Sequence, residues 1–137
     1  MPKKVDKVIV DTNLWISFLI KKDFKQLDEQ IKKGTLVAVF SDELIKEFVA
    51  VTNRPKFRKY FHKEDGIKLL ELFDVYGKIV HVKSSVSICR DKKDNFLLSL
   101  ARDSKADYLI TGDDDLLAMV QFEGTRIVTM TEFLRIV

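Results

Sequence analysis

The chain holds one cysteine, Cys89, and so forms no disulfide within itself. A single thiol suits a reducing compartment, where its plain role is that of a buried, inert side chain. The two histidines, His62 and His81, are far apart and lack the spacing of a zinc pair. Two prolines and five glycines among 137 residues leave no Pro/Gly/Ser-rich linker, and no repeat or low-complexity stretch is present. A single domain over residues 1–137 is therefore expected, long enough to bury a proper core. No Gly-rich stretch resembles a phosphate-cradling loop, and Thr111-Gly112-Asp113 alone is a weak motif. No apolar run approaches the roughly 20 residues that cross a bilayer, and no secretory apolar stretch follows Met1-Pro2-Lys3-Lys4. The expected location is the cytoplasm.

An excess of one charge is also nearly missing. Against 21 acidic residues stand 24 Lys and Arg, a net +3 that is compatible with a polyanionic partner without establishing one. Distribution says more. Lys56, Arg58, Lys59, His62 and Lys63 follow Pro55, with Phe57, Tyr60 and Phe61 between them. Such a mixture can hold phosphates and stack bases, or it can be a solvated helix face whose aromatics point inward. Trp15, within Leu14-Trp15-Ile16-Ser17-Phe18-Leu19, reads as core.

What the chain does have is short apolar runs alternating with helical patterns. Strands are expected at residues 7–10, 36–40, 79–82, 108–111 and 126–129. Consecutive Val, Ile and Leu suit strands buried on both faces, hence a parallel sheet covered by helices. Helical spacing falls at 14–20, 24–33, 42–52 and 63–76, from Asp91 or Lys92 to Ser104, and at 113–120 and 132–137. Ser41 reads as an N-cap, Gly34 and Gly77 as helix stops, and Phe96, Leu97, Leu100 and Ala101 as one inner face. Strands separated by helices make right-handed βαβ units, an α/β fold.

Four separated acidic sites fall where such a sheet delivers ligands, outside the carboxyl ends of its strands. Asp11 follows Val8-Ile9-Val10; a carboxylate there could cap a helix, but Asn13 can do so unaided. Glu43 and Glu47 are four apart in a helix, and Glu47, beside Ile45, Phe48 and Val49, lies nearer the buried side. Asp91 makes the better N-cap and Asp94 the better ligand. Asp113 directly follows Thr111-Gly112; Asp115 is a second contributor, and Asp114 an exposed residue of an acidic helix start. Gathered carboxylates repel, so a crevice that collects four needs a compensating cation. Oxygen donors without His or thiolate select hard ions, Mg²⁺ or Mn²⁺. A metal-dependent nuclease is the reading these residues favour.

The chain resembles the PIN domain family, in the branch known as toxin components of toxin–antitoxin systems. The resemblance is carried by Val8-Ile9-Val10-Asp11-Thr12-Asn13, by Ser41-Asp42-Glu43-Leu44 with Glu47 and Asn53-Arg54-Pro55-Lys56-Phe57, by Cys89-Arg90-Asp91 with Asp94-Asn95, and by Ala106-Asp107-Tyr108-Leu109-Ile110-Thr111-Gly112-Asp113-Asp114-Asp115-Leu116-Leu117. It runs from Val8 to about Phe133. Each motif is weak alone; the ordered set is specific. The resemblance implies a five-stranded parallel sheet between helices and a Mg²⁺- or Mn²⁺-dependent ribonuclease. Its acidic site falls on Asp11, Glu47, Asp94 and Asp113, with Thr12 and Asn13 as polar supports beside the first acid. It also implies that members often form homodimers and are neutralised by an antitoxin. Besides Lys56, Arg58 and Lys59, candidate RNA contacts are Arg90, Lys92 and Lys93, which flank Asp94. Three rivals compete with this reading. A phosphatase with an Asp nucleophile wants a second acid two residues on, where this chain has Asn13. A receiver domain places its Asp on a later strand. A catalytically silent RNA- or partner-binding module would not be expected to keep all four acids.

Overall fold

The computed structural model describes residues 5–21, 29, 33–57, 59, 77–89 and 91–136. At its centre is strand β1 (Asp6–Val10), whose Val8, Ile9 and Val10 are all buried. Three consecutive buried side chains mean that both faces of the strand are covered, the condition for an interior parallel strand. Strand β1 pairs in parallel with β2 (Leu36–Phe40) on one side and β4 (Tyr108–Ile110) on the other. Beyond β2 lies β3 (Gly77–Ile79), and beyond β4 lies β6 (Thr125–Val128), both parallel to their neighbours. The order across the sheet is β3-β2-β1-β4-β6-β5.

The sheet has six strands where the sequence pattern predicts five. The extra one, β5 (Gln121–Phe122), forms an antiparallel edge hairpin with β6 through Glu123 and Gly124. Two residues are too few for apolar periodicity to register. The remaining five are parallel and fall at or near the expected segments.

Helix α1 (Thr12–Lys21) leaves β1 directly, two residues earlier than apolar spacing suggests. Helices α2 (Asp42–Thr52) and α3 (Lys92–Ser104) fall where their patterns predict. Ser41 caps α2 by accepting from the Leu44 amide at 3.1 Å, and Asp91 caps α3 by accepting from Lys93 N at 3.0 Å. Helices α4 (Asp114–Met119) and α5 (Met130–Ile136) complete the described set. The expected helix at 63–76, and most of that at 24–33, lie outside the described residues. Among the described residues no helix is long and apolar enough to cross a membrane.

Two expectations shift. The strand predicted at 79–82 lies at Gly77–Ile79, with the Val80 amide making a last bond to the Phe40 carbonyl at 2.8 Å. The chain after it runs along α3 instead, because three side chains spaced four apart on that helix take up its backbone amides. Asp103 accepts from the amides of Lys83 and Ser84, Ser99 Oγ from Val86 N at 3.0 Å, and Asn95 Oδ1 from Cys89 N at 2.8 Å. Asn95 also donates to the Cys89 carbonyl at 3.0 Å. This polar stripe carries the chain to Asp91 at the start of α3. The second shift is Phe96, expected on the inner face of α3 but 52% exposed; Leu97, Leu98, Leu100 and Ala101 fill that face. Trp15 is core, its ring 6.1 Å from that of Phe40.

Candidate functional site

Parallel pairing fixes the centre of the site. Because Val10 aligns with Ile110, the next residues of the two strands, Asp11 and Thr111, leave the sheet side by side. The Asp11 amide still donates to the Ile110 carbonyl at 2.9 Å, and its own carbonyl accepts from Leu14 and Trp15 to open α1. Its side chain is thereby aimed into the crevice. Thr111 Oγ1 donates to Asp11 Oδ2 at 2.9 Å. Asp11 is only 3% exposed, and its Oδ1 is enclosed without any aligned hydrogen bond. A buried carboxylate oxygen left in that state is costly unless a cation faces it.

A cation does face it. Lys93, on the first turn of α3, brings its Nζ to 3.2 Å from Asp11 Oδ1 and 3.6 Å from Glu47 Oε1. Burial disfavours the charged ammonium, yet the charges of Asp11 and Glu47 outweigh it and hold the Lys93 pKa above its ordinary value. Glu47 reaches this point from α2, half-buried, and its Oε2 accepts from Thr12 Oγ1 at 3.1 Å. Glu43 faces solvent.

Asp94 lies in the first turn of α3, 2% exposed. Its pKa is pushed up to about 6, first by burial and then by the charges of Asp113, Asp91 and Asp11, against the opposing pull of Lys93. Cys89 is affected by the same field: burial, then Asp94, Asp113, Asp115 and Asp91, raise its thiol pKa. Asp113 follows β4 and caps α4, with Oδ1 accepting from Leu116 N at 3.1 Å and its own amide donating to Thr111 Oγ1 at 3.0 Å. Asp114 and Asp115 are exposed.

The elements thus bring Asp11 and Glu47 to one cation, with Asp94 and Asp113 within electrostatic reach. Among the described residues no three acidic, His or Cys side chains are already arranged to hold an ion. The chemistry still suits a hard divalent ion. Every donor is a carboxylate, one oxygen is enclosed without a hydrogen bond, and a positive charge already stands between two of the acids.

The supports differ from those expected. Thr12 is fully buried and holds Glu47, while Asn13 is exposed within the first turn of α1 and does not open it. Thr111 holds both Asp11 and the turn to Asp113, a role legible only from strand register. Asn95 fixes the approach to α3 by its double bond to Cys89. Among the expected RNA contacts, Lys93 turns inward onto the acids, and Lys92 is exposed. Lys56 and Lys59 are exposed too, with Lys56 Nζ lying 5.0 Å from the centre of the half-buried Phe57 ring. Arg58 and Arg90 lie outside the described residues.

The chain can be set beside known proteins. The PIN domain family model matches residues 7–115. The chain belongs to the PIN domain family. PIN domains are generally nucleases and typically use divalent metals. The uncharacterized protein MJ1680 of Methanocaldococcus jannaschii is 37% identical over 123 residues, 87% of this chain and 78% of that protein. Two solved structures share the fold. PAE2754 from Pyrobaculum aerophilum aligns with a TM-score of 0.61 at 18% identity, covering 96% of this chain and 88% of its own. VapBC2 from Rickettsia felis, solved bound to a DNA fragment from their promoter, aligns at 0.59 and 14% identity over 88% and 96%.

Proposed function

We propose that this PIN domain is a metal-dependent endoribonuclease, the toxin of a toxin–antitoxin pair, hydrolysing RNA phosphodiester bonds with Mg²⁺ or Mn²⁺. The observation that carries the reading is Asp11 Oδ1, enclosed, without a hydrogen bond and faced by a cation that also meets Glu47. Such an arrangement suits a cation-binding crevice better than a structural cap. Asp11, Glu47, Asp94 and Asp113 are the residues that would hold the ion, with Asp115 as a further donor. When bound, the ion supplies Lewis-acid charge for the phosphate and lowers the pKa of water to make a nucleophile.

The chain's own groups do the positioning. Thr111 and Thr12 each donate to one carboxylate, leaving the other oxygen of Asp11 and of Glu47 directed at the cation. The cap of α4 leaves Asp113 one oxygen that is not committed to Leu116 N. Lys56, Lys59 and Lys92 are exposed and suited to the phosphates of a bound strand; Arg58 and Arg90 are proposed for the same role. The likeness to VapBC2 supports an antitoxin partner, and a homodimer is proposed from the family resemblance.

Incubating the purified chain with single-stranded and structured RNA, with Mg²⁺, Mn²⁺ or EDTA, tests the activity. Internal cleavage that needs the metal is expected. Cleavage that persists in EDTA, or none in either metal, would sink this reading. A small neighbouring reading frame with a DNA-binding pattern would favour the toxin role over housekeeping RNA processing.

A further inference from the structure

We propose that Lys93 is a resident cation of the acidic crevice, pairing Asp11 with Glu47 in the metal-free chain and leaving that place when a divalent ion binds. The inference rests on the reading of the crevice as a metal site and goes beyond it, because it assigns a competitor to the ion within the protein itself.

Helix polarity gives the first argument. Lys93 is the second residue of α3, next to an N-terminus whose exposed amides favour anions, so a lysine there is on the unfavourable end. Its ammonium is not drawn to the helix. It is drawn across to the end of β1 and to α2, where it meets Asp11 Oδ1 at 3.2 Å and Glu47 Oε1 at 3.6 Å. The second argument is Asp11 Oδ1, which no hydrogen bond satisfies and which therefore depends on a cation. The third is mobility. An ammonium on a four-carbon stem is a compact charge that can swing away, and the Lys93 side chain is 24% exposed.

Two cations crowded onto one carboxylate oxygen repel each other. A divalent ion taking Asp11 Oδ1 and Glu47 Oε1 would stand within a few ångströms of the ammonium, and the repulsion would eject the weaker, tethered charge. Metal binding is then an exchange. Its apparent affinity is lowered by the fraction of time Lys93 holds the carboxylates.

Mn²⁺ titration of the whole chain by calorimetry, alongside thermal unfolding in EDTA, separates this role from a purely structural one. Lys93→Met is expected to bind Mn²⁺ at least about fivefold more tightly than wild type, as expected when the occluded fraction is removed. In EDTA the variant is expected to melt lower than wild type, with the gap closing at saturating Mn²⁺. Lys93→Arg, which keeps the charge, should retain weaker binding. Lys46→Met, which removes the same charge from an exposed position beside Glu47, should bind Mn²⁺ like wild type. Unchanged or weaker Mn²⁺ binding by Lys93→Met, or no binding by either protein, would overturn the proposal. Should Lys93→Met not fold without metal, wild type labelled with ¹³C-lysine gives an independent reading. Its Lys93 Cε resonance, assigned with Lys93→Arg, is expected to move to the solvated range on Mg²⁺ saturation; an unmoved signal would refute the exchange. RNA cleavage by the wild type reports on the proposed activity, whereas the ratio of affinities and the lysine signal report on Lys93, so each can fail separately.

Discussion

Single carboxylates in this crevice differ in what surrounds them, and Asp94 is buried with the charges of Asp113, Asp91 and Asp11 acting on it. Its folded pKa of about 6 stands above its ordinary 3.8, so the folded chain binds that proton more tightly than the unfolded chain does. The stabilising effect of protonation therefore grows as pH falls through about 6 and is complete only below the ordinary value. At pH 7.5 in EDTA the ionised group is a burden, and Asp94→Asn is expected to raise stability by about 1–3 kcal/mol. Lowering the pH to 5.5 should shrink the difference between variant and wild type by about 1 kcal/mol. Melting curves of both proteins at the two pH values check this; a gap that widens on acidification would contradict it. Asp11 is different, because Lys93 and Thr111 already meet its two oxygens. Thr12 makes a further prediction at this scale. Thr12→Val keeps the shape but removes the bond to Glu47, and RNA cleavage is expected to fall by ~10–100-fold, as for other groups that orient metal ligands. Full activity in Thr12→Val would mean that Glu47 needs no such support.

At the scale of elements, the stripe Asn95, Ser99 and Asp103 decides how the chain enters the site. Ser99→Ala leaves the buried Val86 amide without its acceptor, at a cost of about 1–3 kcal/mol. Hydrogen exchange is expected to speed up at Val86 while β1 amides keep their protection; equal loosening of both would mean that the segment and sheet open as one unit. The same stripe explains where sequence reading stopped. The runs behind β1 and β2 are legible because buried parallel strands are continuous in Val, Ile and Leu, and α2 and α3 are legible because Ser41 and Asp91 cap them. The segment after Ile79 also looks strand-like, with Val80 and Val82, but only the Val80 amide still reaches β2, at the Phe40 carbonyl, and those of Lys83, Val86 and Cys89 go to side chains of a helix still to come. Phe96 misleads for a simpler reason: the buried face of the helix is turned toward Asp94 and Leu98, which leaves Phe96 outside its edge.

For the whole molecule, the sheet order places β1 between β2 and β4, and this alone brings Asp11, the helix after β2 and the turn after β4 to one rim. The acids could be read from sequence because each stands just past an apolar run or within the next helical turn. Lys93 and Thr111 could not, because their roles depend on register and on which way a side chain crosses the crevice. Compensation looks wholly external from the sequence; in the fold one lysine supplies part of it. The central claim is that this crevice performs metal-dependent cleavage. Asp11→Asn tests it most directly, since Asn keeps an acceptor for Thr111 Oγ1 while removing the charge that faces the cation. The measurement is single-turnover cleavage of a labelled RNA in Mn²⁺, with a melting curve taken on the same protein. A folded Asp11→Asn whose cleavage drops to the level seen in EDTA is the predicted result. Cleavage at the wild-type rate by that folded variant would contradict the account.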